Sequence, residues 1–301
     1  MTFLGTGSAI PPNDRYQVSC TLRHPDGLIF FDCGEGTQYL LRKYRISTRK
    51  EIVICLSHLH SDHFLGLPGL LASFQLLNRE EKIHIIGPKG TSILINNLII
   101  ANFIKVEYEI IIHELIPDQS YEGRGYSITC VKALHEAGGL SFIWKEVDRP
   151  GKVDIEKLNA LGIPSGPLIG ALQNGKSITW KNEIIKPDEY IGKSRRGRII
   201  AYSGDTAPNE EFEKSIVPCD VLIHEATYPD GMDDLAIERS HTTITQAAHI
   251  AKRTKVGLLV LTHFSPRILD WENEYEKATN IFKSIKFAKE GLVINIPYVK
   301  N

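Results

Sequence analysis

The chain has 301 residues, of which 42% are hydrophobic and 24% are charged, a composition typical of a globular protein with a large buried core. Its 35 basic and 36 acidic residues leave a formal net charge of −1, which excludes the overall positive charge typical of many nucleic-acid-binding proteins. Any surface that binds a polyanion must therefore be local.

Short apolar runs rich in isoleucine, valine and leucine recur along the chain, and each is followed by polar or glycine-rich residues. Runs of this length and composition predict buried β-strands. Helical patterns lie between them, and this alternation predicts an α/β layered fold. Phe3 already lies in the first predicted strand; later strands cover residues 28–31, 52–56, 128–134, 199–202, 221–223 and 257–261, and the two clearest helices cover 65–77 and 243–252.

Residues 145–198 interrupt this pattern with a high density of glycine and proline, which predicts an irregular insertion rather than part of the core. The insertion ends in a basic run that contains Lys193, Arg195, Arg196 and Arg198. Taken alone, such a run is usually a solvated loop. It is also the kind of local cluster through which a chain of net charge −1 could bind a polyanion.

The first residues have neither a basic region nor an apolar run, so they predict no secretory signal. The most apolar stretch, residues 92–112, is broken by asparagine and charged residues and predicts no membrane span. We therefore expect a cytoplasmic protein without membrane contacts.

The cysteines are odd in number and lack a C-x-x-C pair, which predicts reduced side chains in the core. They are Cys20, Cys33, Cys55, Cys130 and Cys219.

The most informative pattern is His58-Leu-His60-Ser-Asp62-His63, which directly follows a predicted strand. His58 and His60 are two residues apart, so in an extended segment their side chains project to the same side. A loop after them can turn Asp62 and His63 toward a second centre. Imidazole and carboxylate groups are good ligands for zinc and similar first-row metals. The alternative, a hydrogen-bonded histidine cluster without metal, does not explain three histidines and a carboxylate within six residues.

Three further candidate ligands, His135, Asp205 and His263, stand at the ends of separate predicted strands. Ligand sites in layered α/β folds collect at the carboxyl ends of strands, so these residues are expected to converge. Singly, His135 has a plainer interpretation as a surface histidine, and Asp205 as a turn or helix-cap aspartate. Together with the first cluster they supply seven ligands, the number expected for two metals that share one carboxylate.

Glu225 and His241 form a candidate acid–base pair. Glu225 follows a predicted strand, and His241 follows a polar loop. An imidazole oriented by a carboxylate can act as a general acid. The alternative is that the two residues support the metal ligands from behind or lie on the surface.

These motifs resemble the metallo-β-lactamase superfamily, and narrower features resemble its short-form ribonuclease Z (tRNase Z) family over nearly the whole chain. The narrower motifs are Phe3-Leu-Gly-Thr-Gly7, Asp32-Cys-Gly-Glu-Gly-Thr-Gln38, Leu67-Pro-Gly-Leu70, Ser203-Gly-Asp-Thr206, His224-Glu-Ala-Thr227 and His263-Phe-Ser-Pro-Arg267. In the insertion, Gly162-Ile-Pro-Ser-Gly-Pro167 is similar to the glycine-proline motif of that family's tRNA-binding arm.

The resemblance implies an α/β fold, the metallo-β-lactamase four-layer αβ/βα sandwich, with residues 1–301 in a single domain and a flexible arm inserted at 145–198. It also implies two Zn²⁺ per subunit. One zinc is expected on His58, His60 and His135, the other on Asp62, His63 and His263, with Asp205 bridging them. In addition, Asp62 is implied to handle the proton of the attacking water, and Glu225 and His241 to protonate the leaving oxygen.

The implied activity is an endoribonuclease that removes 3′ trailers from precursor tRNA by attack of a metal-bridging hydroxide. The products would be a tRNA with a 3′-OH and a trailer with a 5′-phosphate. Precursor tRNA is the expected partner, a homodimer is expected, and no DNA partner is expected. The arm would grip RNA backbone far from the cut, by shape and phosphate contacts. Its expected contact residues are Gly162, Pro164, Gly166, Pro167, Lys193, Arg195, Arg196 and Arg198.

Two other functions stay open at this point. A hydrolase of the same fold with a small substrate, such as a phosphodiesterase, lactonase or thioesterase, would keep the metal ligands and would need no arm. A catalytically inactive RNA-binding module would be expected to lose metal ligands, whereas all seven positions are filled here.

Overall fold

The computed structural model describes residues 1–101 and 105–298, so part of the apolar stretch 92–112 lies outside the described residues. The chain divides into two compact units. The main unit consists of Met1–Lys145 and Ile199–Ile296, and the inserted unit consists of Glu146–Arg198 together with the end of the chain from Pro297. Within the described ranges, no helix is long and apolar enough to cross a membrane.

The elements are numbered here in chain order. The strands are β1 (Thr2–Gly5), β2 (Ser19–Arg23), β3 (Gly27–Phe31), β4 (Glu51–Cys55), β5 (Ile83–Gly87), β6 (Ile110–Glu114), β7 (Ser120–Gly123), β8 (Tyr126–Lys132), β9 (Leu140–Glu146), β10 (Ile178–Trp180), β11 (Glu183–Ile185), β12 (Ile199–Tyr202), β13 (Val221–Glu225), β14 (Leu258–Thr262) and β15 (Ile285–Phe287). The helices are α1 (Thr37–Lys43), α2 (Ser61–Phe64), α3 (Leu67–Leu76), α4 (Thr91–Ala101), α5 (Ile155–Ala160), α6 (Pro167–Gln173), α7 (Pro187–Tyr190), α8 (Glu210–Ser215), α9 (Asp233–Glu238), α10 (Ile244–Thr254) and α11 (Trp271–Ile281).

The main unit contains two β-sheets. The first has the strand order β1-β2-β3-β4-β5-β6 and is parallel from β3 to β6. The second has the order β15-β14-β13-β12-β9-β8-β7 and is parallel from β12 to β15. Each predicted apolar run overlaps one of these strands. The central parallel strands β3, β4, β5, β12 and β13 are buried on both faces, as their near-continuous hydrophobic sequences require.

The two sheets pack face to face over a shared apolar core. Phe31 of the first sheet stacks on Tyr202 of the second at 5.2 Å between ring centroids, and Phe142 and Trp144 fill the space beside them. Helices α1, α3 and α4 cover the outer face of the first sheet, and α8, α10 and α11 cover that of the second. This arrangement confirms the predicted four-layer αβ/βα sandwich. All five cysteines are buried and reduced, as expected.

Helix α10 fixes the segment just before it. Thr243 caps its N-terminus in a capping box, because the Thr243 side chain accepts from the Gln246 N–H and the Gln246 side chain accepts from the Thr243 N–H. Its apolar face, which includes Ala247 and Ala251, is fully buried against the second sheet. The cap therefore holds His241, two residues upstream, at a defined place.

The inserted unit has a small apolar core of its own, which includes Leu158, Ile169 and Leu172. The sequence predicted irregular structure here, whereas the segment forms three short helices and the β10–β11 hairpin. Proline is the reason for part of the difference, because Pro167 and Pro187 stand in the first turn of α6 and α7, where proline favours a helix start.

Candidate active site

The motif of three histidines and an aspartate begins where β4 ends. His58 and His60 stand in the extended segment after the strand, and His60 itself has extended backbone angles. Asp62 and His63 then lie on α2, a single helical turn where the sequence predicted a loop. The helical turn places Asp62 and His63 in a second group beside the first, with the rings of His58 and His63 4.1 Å apart between centroids. One six-residue segment therefore serves two neighbouring groups.

The seven predicted ligands converge at one place in the main unit. His58, His60 and His135 form one group, in which one nitrogen from each ring lies within 4.8 Å of the others. Asp62, His63 and His263 form a second group by the same measure. The structure thus brings together the residues that the family resemblance assigns to each of two metals.

Asp205 lies between these two groups. Its Oδ2 is 3.8 Å from His58 Nε2 in the first group, and 3.3 Å and 3.4 Å from the Nε2 atoms of His63 and His263 in the second. A single carboxylate oxygen at this distance from both groups has the position of a shared ligand.

The chemistry of this donor set fits metal ions. His58 Nε2 and His63 Nε2 are buried and have no hydrogen-bond partner within the described part of the chain. A buried polar atom without a partner costs free energy, and a metal ion would satisfy these two nitrogens. Asp62 and Asp205 place two carboxylates beside them, so the cluster also supplies negative charge to balance a cation.

The pKa shifts of the candidate ligands also agree with metal binding. Burial and the neighbouring His63 ring lower the pKa of His58 well below its usual range, which leaves a neutral ring. Burial opposes ionisation of Asp62 and Asp205, but the nearby histidines outweigh it and lower the pKa of both. Burial also opposes protonation of His63, yet Asp205 and a second carboxylate raise its pKa well above its usual range. Metal binding would release that proton.

Asp32 orients the His63 ring from behind. Its Oδ1 accepts from the Ser57 N–H at 2.7 Å, and its Oδ2 accepts from the Ser57 hydroxyl at 2.9 Å and the Tyr202 hydroxyl at 2.5 Å. The same Oδ2 lies 2.8 Å from His63 Nδ1. Because the ring donates its Nδ1 proton to this carboxylate, its Nε2 lone pair is left to bind a metal.

We expect Asp32→Asn to lower metal affinity while the fold is retained. Asp32 has a φ of 55°, in the left-handed region that asparagine tolerates, so the substitution keeps the backbone. It removes the charge and replaces one of the two accepting oxygens by an N–H₂ group. Loss of a partner that orients a metal-binding histidine typically costs ~10–100-fold in metal affinity. Zinc titration against a competing chelator measures this. Unchanged affinity, with an unchanged melting temperature of the metal-free protein, would contradict the orienting role.

Thr227 performs a similar task for His263. The Thr227 hydroxyl lies 2.6 Å from Glu225 Oε2, to which it donates, and 2.8 Å from His263 Nδ1, from which it accepts. The His263 Nε2 lone pair is therefore also left for a metal. The sequence singled out neither Thr227 nor Asp32 as a site residue; both stand in the quoted motifs, but only the fold reveals what they touch.

Glu225 and His241 are paired in the structure. His241 Nδ1 lies 2.7 Å from Glu225 Oε1, and the Glu225 carboxylate also accepts from the backbone N–H groups of Thr206, Thr227 and Thr242. Burial opposes protonation of His241, but the carboxylate outweighs it and raises the pKa of His241 to about 9 in the metal-free protein. Nearby metal cations would lower this value. The pair thus has the geometry expected of an oriented acid.

His241 lines a pocket that leads to the cluster. The same pocket is lined by Asp62, Asp205, Tyr228 and Arg267, so a phosphodiester in it would reach the candidate ligands and the candidate acid together. Four of the remaining histidines lie in the core or on the surface, as expected from the sequence, and they are His24, His84, His113 and His249. His224 is buried beside Phe212.

The predicted arm residues belong to the inserted unit. Gly162, Pro164, Gly166 and Pro167 are all exposed and lie in or beside the turn that begins α6. Of the basic run, Lys193 is exposed, whereas Arg195 donates to the Pro150 carbonyl and Arg198 pairs with Glu146 at 2.7 Å. The guanidinium groups of Arg149 and Arg198 lie over the Tyr298 ring, beside that pair. Part of the basic run therefore has structural contacts of its own.

Comparisons with known proteins support the fold and identify the family. A family model described as Beta-lactamase superfamily domain matches residues 190–264, and one described as Anti-Pycsar protein Apyc1 matches residues 1–141. The protein YhfI of Bacillus subtilis has a metallo-β-lactamase fold and superposes with a TM-score of 0.68 at 18% identity, over 97% of this chain and 96% of that one, which supports the fold alone.

Closer relatives match over nearly their full length. Ribonuclease Z of Methanosarcina acetivorans is 35% identical over 99% of this chain and 98% of its own, and ribonuclease Z of Nitrosopumilus maritimus is 37% identical over 98% and 99%. The crystal structure of the short form of human tRNase Z superposes with a TM-score of 0.71 at 27% identity, over 98% of both chains. With its metallo-β-lactamase fold and its complete set of seven candidate histidine and aspartate ligands, the chain belongs to the ribonuclease Z family.

Proposed function

We propose that this chain removes 3′ trailers from precursor tRNA and leaves a tRNA with a 3′-OH and a trailer with a 5′-phosphate. One observation carries the proposal: in a chain of the ribonuclease Z family, a buried cluster of seven candidate ligands opens on a pocket beside the Glu225–His241 pair. The names of the relatives support RNA as the substrate class. A cytoplasmic location stays a prediction.

The metal assignment is part of the proposal. We assign one Zn²⁺ to His58, His60 and His135, the other to Asp62, His63 and His263, and Asp205 to both. Nitrogen and carboxylate oxygen donors are the usual ligands of zinc, and two zinc ions per subunit would use all seven residues. When bound, the ions would neutralise charge on the phosphate oxygens and lower the pKa of the attacking water.

Asp62 has the position expected of the group that orients that water and receives its proton. It lines the pocket, and its Oδ2 is held 3.3 Å from His263 Nε2 and 3.4 Å from His63 Nε2. Its lowered pKa keeps it ionised at neutral pH, so its oxygens accept hydrogen bonds rather than donate them. The carboxylate can therefore orient the water for attack on phosphorus.

His241 is placed to assist departure of the ribose 3′ oxygen. That oxygen leaves as a poor alkoxide unless it receives a proton. Glu225 fixes the His241 ring through Nδ1 and stabilises its protonated form, which leaves Nε2 as the nitrogen that can serve the pocket. Donation of the Nε2 proton would yield the 3′-OH of the tRNA product.

We further propose that the inserted unit binds tRNA at a distance from the cut, and that the enzyme works as a homodimer. Both proposals rest on the resemblance to the ribonuclease Z family, and the first is also supported by the exposed glycine-proline turn and the exposed Lys193 of the inserted unit. Contacts from such a turn would recognise shape and phosphate rather than sequence.

Deletion of residues 151–193 should abolish precursor tRNA processing and leave hydrolysis of a small phosphodiester intact. The ends of the deletion lie close together, because Arg149 and Arg195 exchange two backbone hydrogen bonds of 2.8 Å. A short glycine linker between 150 and 194 can therefore close the gap. Rates on precursor tRNA and on bis(p-nitrophenyl) phosphate would be compared with those of the full chain. Undiminished tRNA processing by the deletion variant would sink the proposed role of the arm.

The proposed function itself is tested by incubating the purified protein with a precursor tRNA that carries a 3′ trailer, with chelator or with added zinc, and mapping both new ends. A single metal-dependent cut after the acceptor stem, with a 3′-OH and a 5′-phosphate, is the expected result. Metal-dependent hydrolysis of a small phosphodiester without a cut in tRNA would instead indicate a small-substrate hydrolase. Elemental analysis of the same preparation tests the two zinc ions.

A further inference from the structure

The segment that joins α1 to β4 carries a second basic cluster. Residues 42–50 include five cations, and residues 36–50 include no acidic residue. All five cations are exposed, and within residues 1–101 and 105–298 none of them forms an ion pair. They are Arg42, Lys43, Arg45, Arg49 and Lys50, and we call residues 42–50 the basic loop. In a chain of net charge −1, this is a marked local excess of positive charge.

The basic loop is held in one conformation by Arg79. The Arg79 guanidinium donates to three backbone carbonyls, those of Thr48 at 2.5 Å, Lys50 at 2.8 Å and Lys82 at 3.0 Å. It also lies over the Phe74 ring at 5.1 Å from the centroid. A surface that is already ordered loses less conformational entropy when it binds a partner.

The backbone at Arg45 is unusual for an arginine. Helix α1 ends in a Schellman motif, in which the Arg45 N–H donates to the Arg42 carbonyl and the Ile46 N–H donates to the Leu41 carbonyl. Arg45 occupies the position of this motif where glycine is preferred, with a φ of 52°. The neighbouring helix α3 ends in the same way, but with Asn78, a residue that tolerates this conformation, at φ 51°.

Stabilisation of helix α1 does not explain all of these cations. Arg42 and Lys43 lie in the last turn of α1, where positive charge favours the helix C-terminus. Arg45 and Arg49 lie beyond the helix, so this effect does not reach Arg49, and it does not offset the left-handed backbone at Arg45. Within residues 1–101 and 105–298, neither Arg45 nor Arg49 has an acidic partner, so their place together on an ordered loop points to a negatively charged partner outside the chain.

The basic loop is distinct from the candidate active site. Arg45, Arg49 and Arg79 line an open groove, which Glu80 and Glu81 also line. The loop precedes β4, whereas the histidine motif follows it, so the two lie at opposite ends of a five-residue strand. At ~3.3 Å per residue the strand spans about 17 Å, several nucleotides along an RNA chain.

We propose that the basic loop is a second phosphate-binding surface, one that contacts the RNA backbone of the substrate away from the cut; this rests on the proposed function. Arginine is suited to this task because its planar guanidinium pairs with phosphate oxygens through two hydrogen bonds. Backbone contacts carry no sequence information, so the loop adds affinity and register for a folded RNA whose sequence varies. The main unit thereby binds precursor tRNA with a surface of its own, in addition to the inserted unit.

The test compares Arg45→Gly/Arg49→Gln with a control that loses the same charge. In the control, Lys255→Gly/Lys252→Gln, Lys255 also has a left-handed φ, of 53°, at the end of α10, and both lysines are exposed. Glycine relieves the backbone at either position, so we expect neither variant to melt below the wild type. We expect the Kd for precursor tRNA to rise on the order of 10-fold in the first variant and to stay at the wild-type value in the control.

Salt dependence gives a second readout. Each lost phosphate contact lowers the slope of log affinity against log salt concentration by ~0.9, so the Arg45/Arg49 variant should lose roughly 1.8. Its rate on bis(p-nitrophenyl) phosphate should equal that of the wild type. The proposal would be overturned if this variant kept the wild-type Kd and salt slope. It would also be overturned if the variant changed from dimer to monomer while its affinity for RNA stayed the same, because the loop would then be an interface between copies of the chain. If the wild type binds precursor tRNA without cutting it, the proposed function fails, and the two Kd values still decide the role of the loop.

Discussion

Replacement of His241 by alanine should lower kcat for precursor tRNA by ~10²–10⁴-fold, the usual contribution of a positioned general acid. The ring is held at 2.7 Å by Glu225, whose carboxylate is fixed by three backbone N–H groups, so its protonated form is both favoured and oriented. KM should change little, because the proton is transferred only as the bond to the leaving oxygen breaks. Single-turnover cleavage of a 3′-trailer substrate measures the effect on the chemical step.

The choice of substrate separates acid catalysis from a general disturbance of the site. The leaving group of bis(p-nitrophenyl) phosphate is a stable anion that needs no proton, so His241→Ala should cleave it at close to the wild-type rate. A variant that had merely lost metal would be slow on both substrates. His249→Ala, which removes an exposed histidine from α10, is the matched control. Equal losses on the two substrates would count against a role for His241 as the acid.

Glu225→Gln should weaken the same step and alter its pH dependence. The carboxylate raises the pKa of His241, so its loss should move the basic limb of the rate profile for precursor tRNA to lower pH. The protonated acid is the active form, and the variant therefore retains most activity below the lowered pKa and loses it as the pH rises. An unshifted basic limb would show that some other group supplies the proton.

Much of the site could be predicted from the sequence because its residues follow strands. Buried strands are visible as apolar runs, and in a layered α/β fold their carboxyl ends meet. His135, Asp205 and His263 each come from a different part of the chain, yet all were predicted to join the cluster because each follows such a run. The two candidate metal groups and the position of Asp205 between them agree with that prediction.

The supporting residues could not be predicted in the same way. Asp32 acts on His63 across 31 positions, and Tyr202 reaches the same carboxylate from the other sheet. Such contacts depend on how two sheets pack, which no local pattern reports. The backbone gives a clue only in the structure, where Asp32 and His263 both have positive φ angles, of 55° and 60°. Residues held in this region without being glycine often mark functional sites.

The basic loop could not be predicted for a related reason. Its cations are spread over nine residues that resemble an ordinary helix end and solvated loop, and the run that contains Arg196 is the denser basic cluster in the sequence. Only the fold reveals that Arg79 orders the loop and that Arg45 stands at a glycine position. In the inserted unit, by contrast, the structure uses Arg195 and Arg198 in contacts of their own.

Asp205→Asn should remove more activity than any other single change in the cluster. Its Oδ2 approaches the Nε2 atoms of both groups, at 3.8 Å from that of His58 and 3.3 Å from that of His63. The amide is neutral and presents an N–H₂ group where two cations would be held, so both metal positions should weaken together. We expect fewer than two zinc ions per chain after dialysis. We also expect kcat/KM to fall by roughly 10³-fold or more, which exceeds the usual cost of losing one stabilising hydrogen-bond donor.

Asp205→Asn tests the shared-ligand assignment, because substitution of a ligand that serves only one metal is expected to give a different zinc content. His60→Ala should empty mainly the first group, whereas Asp205→Asn should affect both, and elemental analysis distinguishes one lost zinc from two. Asp234→Asn, at an exposed position on α9, controls for the loss of one negative charge. An Asp205→Asn protein that keeps two zinc ions and the wild-type rate would refute the bridge, because a carboxylate that holds both metals cannot be exchanged for a neutral amide without loss.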